Sequence, residues 1–251
     1  MNSFVPGPLF AEYERRMEPA RKRFAAGPTL AAVMAADTDP LLLELFLLHF
    51  SAMGVRMTEP VEGWIRRGAQ RCEDLGYEDL GRALRGHAAA EAGHNLMMVR
   101  DTHALTASLN ARYLPPLDAE RLLAAPPGRG AARYIAVHER VIGGPAPFAQ
   151  VALEYEIEML PVRYGPTMIA SCVRRLGQEI LVCLSFITEH IELDVGHTKF
   201  NSRQLDTLLA RNPGILSIMV AAGSDVLDAY SEFLTDCLAL AGQTRKEMAC
   251  A

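Results

Sequence analysis

Two octets, residues 87–94 and 190–197, repeat one spacing of histidine and carboxylate side chains. In each octet a His is followed four residues later by a Glu or Asp, and three residues after that by a second His: His87, Glu91 and His94, then His190, Asp194 and His197. On an α-helix, positions i, i+4 and i+7 lie on one face. Each octet is therefore predicted to direct two imidazoles and one carboxylate towards a common point, and two such faces opposite each other would form a metal site.

The ligand types favour iron or manganese over structural zinc. The octets offer imidazole nitrogens and carboxylate oxygens but no Cys, whereas structural zinc sites are closed tetrahedra of Cys and His. A single HxxxE or ExxH run is common and usually marks a polar surface. Two of them inside otherwise apolar helices indicate a metal, because buried His and carboxylate groups are costly unless they pair or coordinate.

A carboxylate that bridges two metals is expected from a third helix, because bundles build such sites from facing helices. One stretch carries three candidates, Glu154, Glu156 and Glu158. Glu158 shares its helical face with apolar and small residues, which favours an inward position. Glu156 also has apolar neighbours on its own side and remains the rival choice.

Three further side chains have open roles. His87 is either a metal ligand or a hydrogen-bonding partner that orients Glu91. Arg163 and Lys199 lie near the proposed ligands in sequence, and either could hold a substrate carboxylate or be a solvated charge.

Helical spacing of apolar residues recurs in almost every segment, so the predicted fold class is all-α. The first octet is predicted to lie within one helix over residues 78–110. The helix of the second octet is predicted to end at Asn201-Ser202, with two closing helices that begin there and at Asn212-Pro213.

Gly93 and Gly196 precede the last His of each octet, and we expect something to approach the helix closely there, since Gly costs about 1 kcal/mol relative to Ala. The other expected helices cover residues 8–24, 28 onwards, 40–54, 60–75, 131–141 and 148–175.

Composition predicts one domain over residues 1–251, with N-terminal helices over 1–55. Half of the residues are apolar and the net charge is −5 with no basic stripe, so nucleic acid is not an expected partner. The longest apolar run, residues 40–53, is interrupted by two polar residues and is too short to span a bilayer, and the N-terminus lacks a signal-peptide pattern. Five cysteines without a CxxC pair suit reduced thiols. A cytoplasmic protein without a membrane partner is expected.

The pair Glu91 and His94, a Glu on a later helix and the HxxxDxxH run at residues 190–197 resemble the haem-oxygenase-like diiron oxidases and oxygenases. The superfamily also contains TenA-type thiaminases and the pyrroloquinoline-quinone synthase. The similarity covers residues 75–240, which it implies to be a metal-binding core within a bundle of about seven helices. It implies these ligands, with His87 and Glu156 as additional or alternative ones: Glu91, His94, Glu158, His190, Asp194 and His197.

The resemblance also implies two ferrous ions per chain and O2 as co-substrate. Members of the family oxidise amino-acid-like or fatty-acid-like small molecules, often in biosynthesis, by N-oxygenation, desaturation or oxidative cleavage of a carbon–carbon bond. An external electron donor is compatible with this chemistry, and the apolar helix surface is compatible with a homodimer.

Two other functions are considered. One is a metal-free enzyme of the same fold, either TenA-like or a cofactor-free oxidase, for which Cys172 or Cys183 would have to be the nucleophile. The other is a non-catalytic helical protein that binds iron for storage or sensing.

Overall fold

The computed structural model of the protein describes residues 5–249. All regular secondary structure in this range is helical, as the sequence predicts, and comprises eleven α-helices and three short 3-10 helices. The α-helices are α1 (Pro8–Ala25), α2 (Pro28–Met34), α3 (Pro40–Thr58), α4 (Val61–Asp74), α5 (Glu78–Ala90), α6 (Asn95–Asn110), α7 (Ala119–Leu123), α8 (Arg129–Gly143), α9 (Gln150–Leu176), α10 (Ser185–Arg211) and α11 (Leu216–Ala249).

Prolines set the starts of the first three helices. Pro8, Pro28 and Pro40 each occupy the first helical position. The fixed φ of proline suits a helix there, and the N–H that proline lacks would have had no carbonyl acceptor within the helix. Asp39 adds a cap at α3, because its side chain accepts a hydrogen bond of 2.8 Å from the N–H of Leu42. These starts agree with the sequence-based boundaries.

The prediction of one helix over residues 78–110 is wrong. The chain leaves the helix after Ala90 and resumes it at Asn95, so the first octet straddles a break between α5 and α6. Gly93 has a φ of +82° in this break, a left-handed conformation that glycine adopts without steric cost. A Cβ at Gly93 would meet only a leucine methyl at 3.9 Å, and one at Gly196 would meet nothing within 4 Å. Other residues of the described protein therefore make no close approach at either glycine.

The predicted end of the second octet's helix at Asn201-Ser202 is wrong as well. Helix α10 continues to Arg211, and one long helix follows it instead of two. Asn201 does not cap a helix, because its side chain lies buried inside the bundle and donates to Glu158. The Ser202 hydroxyl bonds back to the carbonyl of Lys199.

A single cluster of buried apolar side chains runs from Phe10 to Met248. Helix α3 lies at its centre, with every residue from Leu43 to Val55 buried. Helices α9 and α10 pack side by side and present the third carboxylate stretch to the second octet. The four described cysteines are buried and free, and Cys250 lies outside the described residues.

The described residues contain one stretch, Pro40–Asp74, that could cross a membrane by length and composition. Its most apolar window is 78% buried inside the protein. Core helices of soluble proteins pass the same test, so the stretch gives no reason to invoke a membrane.

Candidate metal centre

The break between α5 and α6, the middle of α9 and the first half of α10 bring two groups of ligand atoms together. Within each group the atoms lie within 4.8 Å of one another. The first group is His87, Glu91, Glu158 and His197, and the second is Glu91, His94 and His190. Both octets and one residue of the third stretch therefore meet in one place.

Glu91 belongs to both groups, and each of its oxygens faces a different one. Its Oε1 lies 2.8 Å from Nδ1 of His197, and its Oε2 lies 3.0 Å from Nδ1 of His94. The structure thus gives the shared position to Glu91, on the interhelical break, and not to a carboxylate of the third helix. Glu158 belongs to the first group only.

His87 lies in the first group, where its Nε2 is 2.9 Å from Oε1 of Glu158. Its ring stacks on Phe200 and stands nearly perpendicular to the ring of His197, with centroids 5.0 Å and 4.9 Å away. Burial lowers the pKa of His87, which favours the neutral imidazole that metals bind. This position places His87 among the atoms of the first group, and the ligand role stays a prediction.

The short contacts of the cluster are not hydrogen bonds. Five buried atoms of the cluster lack any hydrogen-bond partner, although each of them has a neighbouring nitrogen or oxygen within about 3 Å. Buried polar atoms are almost always satisfied, so five unsatisfied atoms that face the same space fit a site built for cations. These atoms are His87 Nε2, Glu91 Oε1, His94 Nδ1, Glu158 Oε1 and His197 Nδ1.

Two further contacts orient side chains of the cluster from outside it. His190 Nδ1 lies 2.7 Å from the Phe186 carbonyl, so its N–H is used there and Nε2 is left to face the second group. Burial lowers the pKa of His190. Asn201 donates a hydrogen bond of 2.7 Å to Oε2 of Glu158 and leaves Oε1 for the first group. Sequence reasoning missed Asn201, although its spacing of four from His197 places it on the ligand face of α10.

Asp194 lies beside the first group, with Oδ1 3.2 Å from Nδ1 of His197. Burial raises the pKa of Asp194. Burial also raises the pKa of Glu158 well above its usual value, and the Asp194 carboxylate raises it further. Burial opposes ionisation of Glu91, but the imidazoles of His197 and His94 hold its pKa below the usual value. Cations would relieve the repulsion among these carboxylates.

The alternative ligand Glu156 points away from the cluster. Its carboxylate accepts hydrogen bonds from the hydroxyl of Tyr13 and the guanidinium of Arg21, on the opposite side of α9. Glu154 lies on the cluster side but bonds to Gln150 and belongs to neither group. Burial and the charge of Glu158 raise the pKa of Glu154 to about 8.

A cavity of about 80 Å³ adjoins the cluster, and we call it the metal cavity. Glu91, Glu158, His190 and Asp194 contribute to its wall together with apolar residues and Glu154. The two substrate-binding candidates are elsewhere, because Arg163 and Lys199 are exposed and neither lines the metal cavity.

The cysteine nucleophiles of the metal-free alternative are poorly placed. Cys172 and Cys183 are buried, and neither lines the metal cavity. Burial raises the pKa of Cys172 to about 12 and raises that of Cys183. Both thiols are therefore kept in the unreactive protonated form.

No family model matches the sequence, and no curated protein matches it. Solved structures match the fold. A domain of unknown function with a haem-oxygenase-like fold from Shewanella denitrificans has a TM-score of 0.73 at 16% identity, over 94% of this chain and 93% of that one. A TenA homologue from Pseudomonas syringae pv. tomato has a TM-score of 0.70 at 15% identity, over 94% and 99%. A CADD-like protein of unknown function from Nostoc punctiforme has a TM-score of 0.63 at 10% identity, over 92% and 99%. The haem-oxygenase-like fold predicted from the sequence is confirmed.

Proposed function

We propose that this chain, which has the haem-oxygenase-like fold, is a non-haem diiron enzyme that uses O2 to oxidise a small molecule. The observation that supports the proposal most is the sharing of Glu91 between two buried groups of unsatisfied ligand atoms. One carboxylate with an oxygen towards each group is what a pair of bridged metal ions requires. The Cys-free donor set of nitrogen and oxygen suits iron.

In this proposal His87, Glu91, Glu158 and His197 would hold the first iron, and Glu91, His94 and His190 would hold the second. Asp194, beside His197, would offer a further carboxylate. Ferrous iron, when bound, would supply electrons for the reduction of O2 and so the oxidising power of the reaction.

The protein's own residues position and shield this chemistry. Asn201 and the Phe186 carbonyl fix the orientation of Glu158 and His190. The apolar wall of the metal cavity excludes bulk water from the reacting end of the substrate. Glu154 adds a further carboxyl to the cavity wall, where it accepts a hydrogen bond from the side-chain amide of Gln150.

One comparison favours a second candidate, a metal-free enzyme, because a TenA homologue shares the fold. The buried thiols and the unsatisfied cluster argue against it. In a metal-free enzyme, a chelator would leave activity intact and iodoacetamide would remove it.

The experiment is anaerobic loading with ferrous iron, followed by measurement of iron content and of O2 consumption with a panel of small molecules. We expect His190→Ala and Asp194→Ala to lose iron binding and substrate-stimulated O2 uptake together, with the helical fold retained. Glu189→Ala is the matched control, because Glu189 is exposed and adjacent to His190. Full activity in either ligand variant would contradict the proposal, and iron binding without stimulated uptake across a broad panel would favour storage or sensing.

A further inference from the structure

A second cavity, which we call the apolar cavity, lies next to the metal cavity. It has a volume of about 90 Å³ and is lined by residues of α1, α2, α3, α9, α10 and α11. We infer that the apolar cavity binds the hydrocarbon chain of an aliphatic substrate whose reacting end lies in the metal cavity. This inference rests on the proposed function and assigns the substrate class.

The two cavities share part of their walls. Pro161, Phe186 and Tyr230 line both. Phe186 also lies against the ring of His190, with the ring centroids 4.0 Å apart. A chain that passes these three residues would therefore extend from beside a proposed metal ligand into the apolar cavity.

The lining of the apolar cavity matches hydrocarbon. No charged side chain contributes to it, and its only polar side-chain atoms are the phenol oxygens of Tyr164 and Tyr230. Such a wall binds a solute by removing apolar surface from water and offers little to a polar one.

The charged side chains of the two cavities also favour an aliphatic substrate over an amino acid. No Lys or Arg lines either cavity, and the ionisable acids and bases of the metal cavity are four carboxylic acids, two tyrosines and His190, whose pKa is lowered by burial. A compact zwitterion would find no protein cation for its carboxylate, and its small side chain would leave the apolar cavity unfilled. An aliphatic molecule gains most of its binding from the chain and leaves its head group to the metals.

The cavity reaches the surface between three helices. Leu30 of α2, Met168 of α9 and Ile187 of α10 line it and are half-buried. A chain can therefore enter or extend at this end, and residues there can be enlarged with less strain than in the closed core.

The test uses the metal-free protein and 1-alkanols of six to ten carbons, with binding measured by isothermal titration calorimetry. Neutral head groups remove the effect of charge, so the readout depends on the chain. We expect one alkanol per protein chain and a Kd that falls about fourfold per added methylene, which corresponds to about 0.8 kcal/mol per buried CH2. Met168→Trp, which fills the apolar cavity, is expected to abolish the dependence of Kd on chain length for the longer alkanols.

Ile169→Trp is the matched control, because Ile169 is the next residue of α9, is also half-buried and lines neither cavity. Ile169→Trp should keep the wild-type dependence of Kd on alkanol chain length. Ile187→Phe, from α10, gives a second obstruction if Met168→Trp does not fold. A Kd independent of chain length in the wild type, or the same dependence in the wild type and both filled variants, would overturn the inference. Chain-dependent binding by a protein that takes up no iron would support the hydrocarbon site and refute the proposed function alone.

Discussion

Two carboxylates on α9, Glu156 and Glu158, are two residues apart and both buried, yet their surroundings differ. Glu156 accepts hydrogen bonds of 2.7–2.9 Å from the Arg21 guanidinium and the Tyr13 hydroxyl. Glu158 has one oxygen bonded to Asn201, and the other faces His87 at 2.9 Å without hydrogen-bond geometry. One carboxylate is neutralised by the protein, and the other is left to be neutralised by something else.

The difference separates a buried carboxylate that the protein itself neutralises from one whose surroundings fit the proposed metal ligand. A buried carboxylate is costly unless a cation and hydrogen-bond donors surround it. Around Glu156 the fold supplies both. Around Glu158 and Glu91 it supplies imidazoles, which are themselves metal ligands, and leaves atoms unsatisfied. Each side of α9 can be tested by a substitution that affects only that side.

The largest expected effect is on metal content. Glu91→Gln keeps the size of the side chain but removes the charge that both groups share, so we expect it to lose both irons after anaerobic loading. Glu156→Gln should retain them, because its side chain faces Arg21. Iron content per folded chain, measured by mass spectrometry of the metal, gives the result. Equal loss of iron from both variants would remove the distinction between the two sides of α9.

The next effect concerns stability on the Glu156 side. Arg21→Met leaves the Glu156 carboxylate buried without its cation and is expected to lower the free energy of unfolding by about 3–5 kcal/mol. Urea denaturation of the metal-free protein measures the change. The double variant Arg21→Met, Glu156→Leu should recover much of the loss, and the folded fraction of Arg21→Met should still bind iron as the wild type does. A stable Arg21→Met protein with impaired iron binding would reverse the assignment of the two sides.

A smaller effect is expected from Asn201, which fixes the orientation of Glu158. Removal of the partner that orients a metal ligand typically weakens metal binding by about 10–100-fold, and we expect this for Asn201→Ala. The measurement is an anaerobic competition titration with a chelator. Ser202→Ala is the control, since its hydroxyl bonds only to the adjacent backbone. Unchanged affinity in Asn201→Ala would show that the hydrogen bond does not position Glu158.

The effect furthest from the cluster is a pH dependence of the free energy of unfolding. Burial lowers the pKa of His138 from 6.5 to about 3, and its ring stacks on Trp64 with the centroids 4.3 Å apart. The unfolded chain therefore binds a proton below pH 6.5 that the folded chain does not, so stability is lost as the pH falls from 6.5 towards 3 by up to about 1.4 kcal/mol per pH unit.

Denaturation of the metal-free protein at several pH values should show a shallower slope in His138→Gln than in the wild type. The other buried histidines retain their own contributions in both proteins. The same slope in both would show that the pKa of His138 does not differ between the folded and the unfolded chain.

Much of the fold follows from local sequence features. Helical periodicity and the prolines at positions 8, 28 and 40 predict the first helices correctly. The break at Gly93 could not be predicted, because a glycine inside a helix costs only about 1 kcal/mol and the helix could equally have continued. Helix α5 packs on α4 and helix α6 packs on α3, so the turn that joins them depends on contacts distant in sequence, and this turn places Glu91 between the two groups.

The sequence predicts which residues come together in the candidate site better than it predicts how they are arranged. The repeat of His and carboxylate spacing identifies the residues of both octets. It could not choose between Glu156 and Glu158, because the partner that removes Glu156 from the site is Arg21, 135 residues away in sequence. It also could not show Glu91 as the shared residue, since that position depends on the break.

The most direct measurement of the central claim is the anomalous diffraction of crystals loaded anaerobically with ferrous iron, recorded on both sides of the iron absorption edge. We predict two peaks, one on each side of the Glu91 carboxylate. One should lie among His87, Glu158 and His197, and the other between His94 and His190. Crystals that take up no iron, or that show a single peak away from Glu91, would contradict a diiron centre built around this residue.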